Sequence, residues 1–228
     1  MVNNDKIEIF NGIALLKDDQ CICRFIRESG RLDHDQNMLP LIGQFIKKGD
    51  KVIDIGAFIG DHTIYYSELV GENGKVIAFE PTRDAFECLS YNLKDKINVE
   101  LINSALGKEY GSVRIIDVDT NLGMNYVEQS NTGGIIIYQL DQMEIDRIDF
   151  IKIDVEGYEL DVLIGGQNTI TKFKPKILIE INEMTLQRQG ITRKDIYEWL
   201  DVAGYTYRNI YPYKGLDEYQ MDIICLPN

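Results

Sequence analysis

The chain has 228 residues, 44% of them hydrophobic and 27% charged, which excludes disordered, collagenous and low-complexity classes. Lys and Arg total 24 against 37 Asp and Glu, a formal net charge of −13, and so acidic a surface argues against general nucleic-acid binding. No run approaches the roughly 20 apolar residues of a membrane span, and Met1 to Lys6 lacks the apolar core of a signal peptide. The expectation is one cytoplasmic domain over residues 1–228, with a β extension (1–32) before the core (33–228).

In chain order, Asn11-Gly12 lies between apolar runs and predicts a tight hairpin. Cys21 to Ile26 reads as a strand, with Cys21 and Cys23 on one face, and Asp33 to Lys48 as a helix capped by Asp35. The four cysteines form no CxxC pair, so they are expected to be reduced thiols rather than zinc ligands. An alternation then begins. Strands are predicted over Lys51–Ile55, Lys75–Glu80, Val99–Ala105, Ser112–Val118, Gly134–Leu140, Phe150–Asp154 and Lys176–Ile181. Helices are predicted over Thr63–Leu69, Arg83–Leu93, Leu160–Ile170 and Arg193–Ala203. Two closely spaced strands, Tyr205–Tyr211 and Tyr219–Leu226, end the chain. Strand–helix alternation implies a mostly parallel sheet covered on both faces, and the last pair an antiparallel hairpin at one edge.

The stretch Val52 to Thr63 carries the most chemistry. A buried strand runs into Gly56 and Gly60 and then a helix, and Glu80 ends the next strand 20 residues after Gly60. Glycines let backbone approach a ligand, and an acid at that position accepts hydrogen bonds from ribose hydroxyls. Asp54 lies two residues before the first glycine. A carboxylate there disfavours a pyrophosphate and suits a cation. S-adenosylmethionine (SAM), with its ammonium and sulfonium, is therefore favoured over NAD, and an NAD-dependent oxidoreductase is the weaker reading.

Val52 to Thr63 resembles the first motif of class I SAM-dependent methyltransferases. The segment Ile148-Asp-Phe-Ile-Lys-Ile-Asp-Val-Glu-Gly-Tyr-Glu-Leu-Asp-Val-Leu-Ile-Gly-Gly is similar to the signature of the FkbM methyltransferase family, and Gln139-Leu-Asp, Ser104-Ala-Leu-Gly and Ile179-Glu-Ile-Asn fit the same pattern. Phe58 departs from it, standing where that family often carries Asn. The resemblance implies a Rossmann-like α/β sandwich with a seven-stranded sheet. It implies SAM held by Asp54, Gly56, Ala57, Phe58, Gly60, Thr63, Glu80, Pro81, Ser104, Ala105 and Asp154. It also implies O-methylation of a hydroxyl, on a sugar of a glycan or glycolipid or on a secondary metabolite.

A hydroxyl acceptor needs a base at the strand ends. Asp154, Glu180 and His34 are the catalytic candidates, with Glu156 and His62 behind them. Each has a structural alternative: Asp154 as holder of the cofactor ammonium, Glu156 as a helix cap, His62 as a packing residue and His34 as part of a solvated turn. Asp154, Glu156, Glu180 and Glu183 are oxygen ligands of the type Mg²⁺ takes, but clustered acids also arise without metal, and none is expected. Tyr205, Tyr207, Tyr211 and Tyr213 share parity and read as packing of the edge hairpin or as a stacking surface. The polar stretch Asp119–Gly134 reads as a surface loop or a cover for the acceptor. Asp154-Val-Glu-Gly differs from the Asp-Pro-Pro-Tyr used to hold a flipped adenine, so base methylation is disfavoured. The non-enzymatic rival is a SAM-binding partner module. Monomer or homodimer is the expectation for this size.

Overall fold

The computed structural model describes residues 5–32, 37–116, 118, 121–130, 134–211 and 219–228. β1 (Ile7–Phe10) and β2 (Ile13–Leu16) pair antiparallel around Asn11-Gly12. Both turn residues take positive φ, 50° and 83°, as a two-residue turn matched to strand twist requires. Cys21 to Ile26, expected as a strand, lies instead in and at the start of α1 (Ile22–Ser29). Asp19 decides this: its Oδ1 accepts the N–H of Cys21 (3.2 Å) and of Cys23 (2.7 Å), capping the helix. Cys23 and Ile26 then face inward three residues apart, while Cys21 is exposed. All four cysteines are free.

The helix expected over 33–48 is, among the described residues, the short α2 (Leu39–Gly43), with Pro40 in its first turn. Asp33, His34 and Asp35 lie outside the described residues. The alternation follows as expected: β3 (Lys51–Ile55), α3 (Asp61–Val70), β4 (Lys75–Phe79), α4 (Arg83–Asn92) and β5 (Val99–Ile102). The last strand does not continue to Ala105. The chain leaves the sheet at Asn103-Ser104, and β6 (Ala105–Leu106) joins a second sheet with β7 (Gly111–Ile116), β8 (Tyr126–Gln129) and β9 (Ile135–Tyr138). The polar stretch before Gly134 thus contains a strand, which its low hydrophobicity concealed.

β10 (Phe150–Ile153) returns to the centre. The single helix expected over 160–170 is two, α5 (Glu159–Gly165) and α6 (Gln167–Phe173), divided at Gly166. β11 (Lys176–Asn182) leads into an unanticipated α7 (Glu183–Arg188), capped by the Asn182 side chain on the Met184 N–H. α8 (Arg193–Val202), opened by a Thr192/Asp195 capping box, β12 (Tyr205–Tyr211) and β13 (Gln220–Pro227) complete the chain.

The main sheet has seven strands in the order β12-β13-β11-β10-β3-β4-β5. β11 to β5 run parallel, and β13 is antiparallel to both its neighbours, which is the expected edge hairpin. One face packs Val52, Val76, Phe150 and Leu178 against Tyr66 and Val70 of α3. The other packs Ile53, Ile151 and Ile179 against Val162 of α5 and Leu200 of α8. Tyr205 bonds Pro175 O and Tyr207 stacks on Tyr197 at 4.5 Å, so these two tyrosines pack the hairpin on its helix. The ladder shifts register between Asn209 and Tyr211, and Tyr213 lies outside the described residues. The chain passes outward from β3 to β5 and returns on the far side of β3 as β10. This leaves a crevice at the carboxyl ends of β3 and β10, where open α/β sheets bind ligands.

Candidate active site

A cavity of about 470 Å³ opens at that crevice, within the range of small-molecule sites. One wall comes from strand ends: Gly56 and Phe58 after β3, Glu80 after β4, Ser104 after β5, Asp154 and Glu156 after β10, Glu180 on β11. The opposite wall comes from Ile22 and Phe25 of α1 and from Asn121 to Val127.

The glycine loop is shaped by contacts behind it. Gly56 has φ 83°, and a Cβ there would fall 1.8 Å from the Asp154 carbonyl oxygen, so only glycine lets the two strand ends meet. Phe58 also has positive φ, 48°, a conformation Asn tolerates better than Phe. The strain is held by Glu80, whose Oε2 accepts the Phe58 N–H at 2.9 Å and whose Oε1 accepts the Thr82 N–H at 2.7 Å. Burial pushes the Glu80 carboxyl up to about 6 against those two bonds. Ser104 is 2% exposed, and its hydroxyl, on the cavity wall, has no hydrogen-bond partner among the described residues.

The acids after β10 are organised by Lys152, a residue that the sequence reading passed over. Lys152 pairs directly with Asp54 across β3 and β10 and is 6% exposed. Its Nζ lies 3.0 Å from Asp154 Oδ2 and 3.8 Å from Asp54 Oδ1, and it donates to the Gly56 carbonyl at 3.0 Å. Burial pushes the Asp154 carboxyl up, but Lys152 and a hydrogen bond from Glu180 outweigh it and hold Asp154 below the usual range. Burial followed by Asp154 and neighbouring acids pushes Glu156 and Glu180 well up. Of the three, Asp154 thus holds its charge most readily, and like charge beside it disfavours ionisation of Glu156 and Glu180. Glu180 is further bonded by the Gln220 side chain. Glu156 has φ 52° and a buried Oε2 without a partner among the described residues. It does not cap the next helix: Glu159 accepts the Val155 and Gly157 N–H groups instead.

Of the expected cofactor residues, Gly56, Phe58, Glu80, Pro81, Ser104, Ala105 and Asp154 line the cavity, whereas Asp54, Ala57, Gly60 and Thr63 do not. Asp54 is fully buried and takes the Thr63 hydroxyl at 2.6 Å, so it braces the loop from beneath. Asp154 and Glu180 come together with Glu156, one carboxylate oxygen from each lying within 4.8 Å of the others. Oxygens of that kind suit a divalent cation. Glu183 stands apart, paired with Arg193. His62 lines the cavity and contacts the Tyr66 hydroxyl at 3.3 Å; His34 lies outside the described residues. The missed signal was a lysine inside the apolar run Phe150-Ile-Lys-Ile: a buried lysine is rarely unpaired.

The chain resembles known methyltransferases in sequence and structure. Residues 54–207 match the model of the methyltransferase FkbM domain. Hexuronic acid methyltransferase AglP of Haloferax volcanii is 26% identical over 176 residues, 74% of this chain and 69% of that protein. Protein-L-isoaspartate O-methyltransferase of Methanococcus aeolicus is 31% identical over 100 residues, 40% of this chain and 46% of that protein. The crystal structure of methyltransferase FkbM from Methylobacillus flagellatus superposes with a TM-score of 0.53 at 20% identity. It covers 77% of this chain, which spans only 43% of that one. A SAM-dependent methyltransferase from Aquifex aeolicus superposes with a TM-score of 0.52 at 16% identity, covering 86% and 95% of the two chains. The fold is thus that of class I SAM methyltransferases. With the family model matching more than half of its length, the chain belongs to the FkbM methyltransferase family.

Proposed function

We propose that this methyltransferase uses SAM to methylate a hydroxyl of a sugar in a glycan or glycolipid. The observation that carries the reading is the two-sided cavity. Its strand-end wall offers a nucleoside the Glu80 carboxylate and the unpartnered Ser104 hydroxyl, and next to these stand carboxyls and the amides of Asn182 and Gln220. Amides and carboxyls together donate to and accept from hydroxyls. The relative named for a hexuronic acid supports the sugar class.

In this reading SAM supplies an electrophilic methyl group on a sulfonium. Glu80 accepts from the ribose hydroxyls, Pro81, Ser104 and Ala105 border the adenine, and the Gly56 backbone lines the methionine part. Asp54, Ala57, Gly60 and Thr63 hold the loop from behind. Asp154, the ionised acid, faces the methionine ammonium. Glu180, in its ionised form, would take the acceptor's proton as the methyl group leaves sulfur and the new C–O bond forms, and its raised basicity suits that step. The apolar wall of Ile22, Phe25 and Leu122 keeps water from the methyl group.

The test is transfer of labelled methyl from SAM to a panel of free and lipid-linked deoxyhexoses, a hexuronic acid, oligosaccharides, a macrolide alcohol, a peptide and DNA. Label on a sugar hydroxyl is expected, and Asp154→Ala abolishes it while leaving the circular dichroism spectrum unchanged. Label on peptide or DNA overturns the sugar assignment.

A further inference from the structure

We propose that Lys152 is a positioning residue for the methyl donor: it fixes the Asp154 carboxylate and the Gly56 carbonyl in the places that seat the methionine end of SAM. The proposal rests on the SAM reading above. Among the described residues lining the cavity, Lys152 is the only lysine or arginine. Its ammonium is spent inside the protein rather than offered to a ligand. It donates to Gly56 O at 3.0 Å, lies 3.0 Å from Asp154 Oδ2, and faces Asp54 at 3.8 Å.

These contacts join the two lips of the crevice. Gly56 follows β3 and Asp154 follows β10, and where the two strand ends meet, the Asp154 carbonyl packs on the Gly56 backbone while Lys152 ties the Asp154 side chain to the Gly56 carbonyl. An ammonium has three N–H donors and no acceptor, so one group binds both lips and leaves each facing the cavity. The Asp154 side chain remains 34% exposed there, while that of Lys152 is 8% exposed. A lysine serving only to neutralise Asp54 would have no need of the Gly56 carbonyl or of Asp154. The ligand group that gains from fixed Asp154 and Gly56 is the cationic amino-acid end of the donor, not its nucleoside, which sits against Glu80 and Ser104.

That difference gives a readout that a merely structural lysine would not produce. S-adenosylhomocysteine carries the amino-acid end; 5′-methylthioadenosine is the same nucleoside thioether without it. Calorimetric titration of both ligands into the full chain, as wild type, Lys152→Met and Lys152→Arg, reads the split. Wild type prefers S-adenosylhomocysteine. In Lys152→Met its affinity falls about tenfold or more, as expected for lost charge-assisted bonds, while that of 5′-methylthioadenosine changes less than about threefold. Lys152→Arg recovers part of the preference. Should Lys152→Met fail to fold, Asp154→Asn, which keeps the lysine, shows the same selective loss. Equal loss of both ligands overturns the proposal, because it marks general loosening of the cavity. Unchanged S-adenosylhomocysteine affinity also overturns it. Wild type binding neither ligand overturns the SAM reading itself, and is recognised before any variant is made.

Discussion

On the β3/β10 side, the cavity wall hangs from strands whose residues are nearly all buried, and much of it is braced from behind. Glu80 holds the Phe58 and Thr82 N–H groups, Thr63 holds Asp54, and Lys152 holds Asp154 and Gly56. On the opposite side the wall is α1, a 3₁₀ turn at Leu122–Met124 and the start of β8. Its parts are tied to one another by contacts such as Leu122 N–H to Asp19 Oδ2 at 3.0 Å. The first wall is specified by packing inside a parallel sheet and tolerates little change. The second rests on short elements outside the sheet, and is where acceptor choice can vary without disturbing the donor. A family can thus keep one half of its site while altering the other.

The largest effect is expected where the braced wall is tightest. Gly56→Val puts a side chain where Asp154 O stands, 1.8 Å from an ideal Cβ. S-adenosylhomocysteine binding is lost by at least about 100-fold, with a clear drop in melting temperature, since a β-branched residue at φ 83° adds backbone strain to the clash. Next comes Glu180→Gln, which keeps shape but removes a base. Turnover of a labelled acceptor falls about 10²–10⁴-fold while S-adenosylhomocysteine affinity stays within a few-fold; equal losses in both would place Glu180 with the donor.

The opposite wall should behave the other way. Phe25, 37% exposed and on the cavity, is expected to contact the acceptor. Phe25→Ala raises the acceptor KM about tenfold and leaves S-adenosylhomocysteine affinity unchanged. A matching loss of donor affinity would erase the distinction between the walls.

The smallest effect is a pH dependence on the donor side. Burial raises the Glu80 carboxyl from 4.5 to about 6. A carboxyl so raised stabilises the fold fully below about 4.5, and that contribution, about 2 kcal/mol, is lost as pH rises through about 6. Ribose hydroxyls need the ionised form as acceptor, so nucleoside affinity moves oppositely. S-adenosylhomocysteine affinity rises several-fold between pH 5 and 7 in wild type and is flatter in Glu80→Gln.

The sequence by itself determined the alternating order of strands and helices, the parallel sheet with its antiparallel edge, the glycine loop and the membership that its signature implied. These are local signals: hydrophobic period, turn residues and motif spacing act over a few residues and survive in one dimension. Where the local signal was balanced, it misled. Cys21 to Ile26 fits a short strand as well as a helix until Asp19 caps it, and the strand Tyr126–Gln129 has too little apolar content to be seen alone. Tertiary structure decided which acids face the cavity. Asp54 and Asp154 look alike in sequence, each ending a buried strand before a turn. One was sealed beneath the loop by Thr63 while the other was left facing the cavity. It also decided that Lys152, nearly 100 residues from Asp54, would be that residue's cross-strand partner. Register between distant strands follows from burying whole apolar faces, so the charges they carry meet as a consequence of packing.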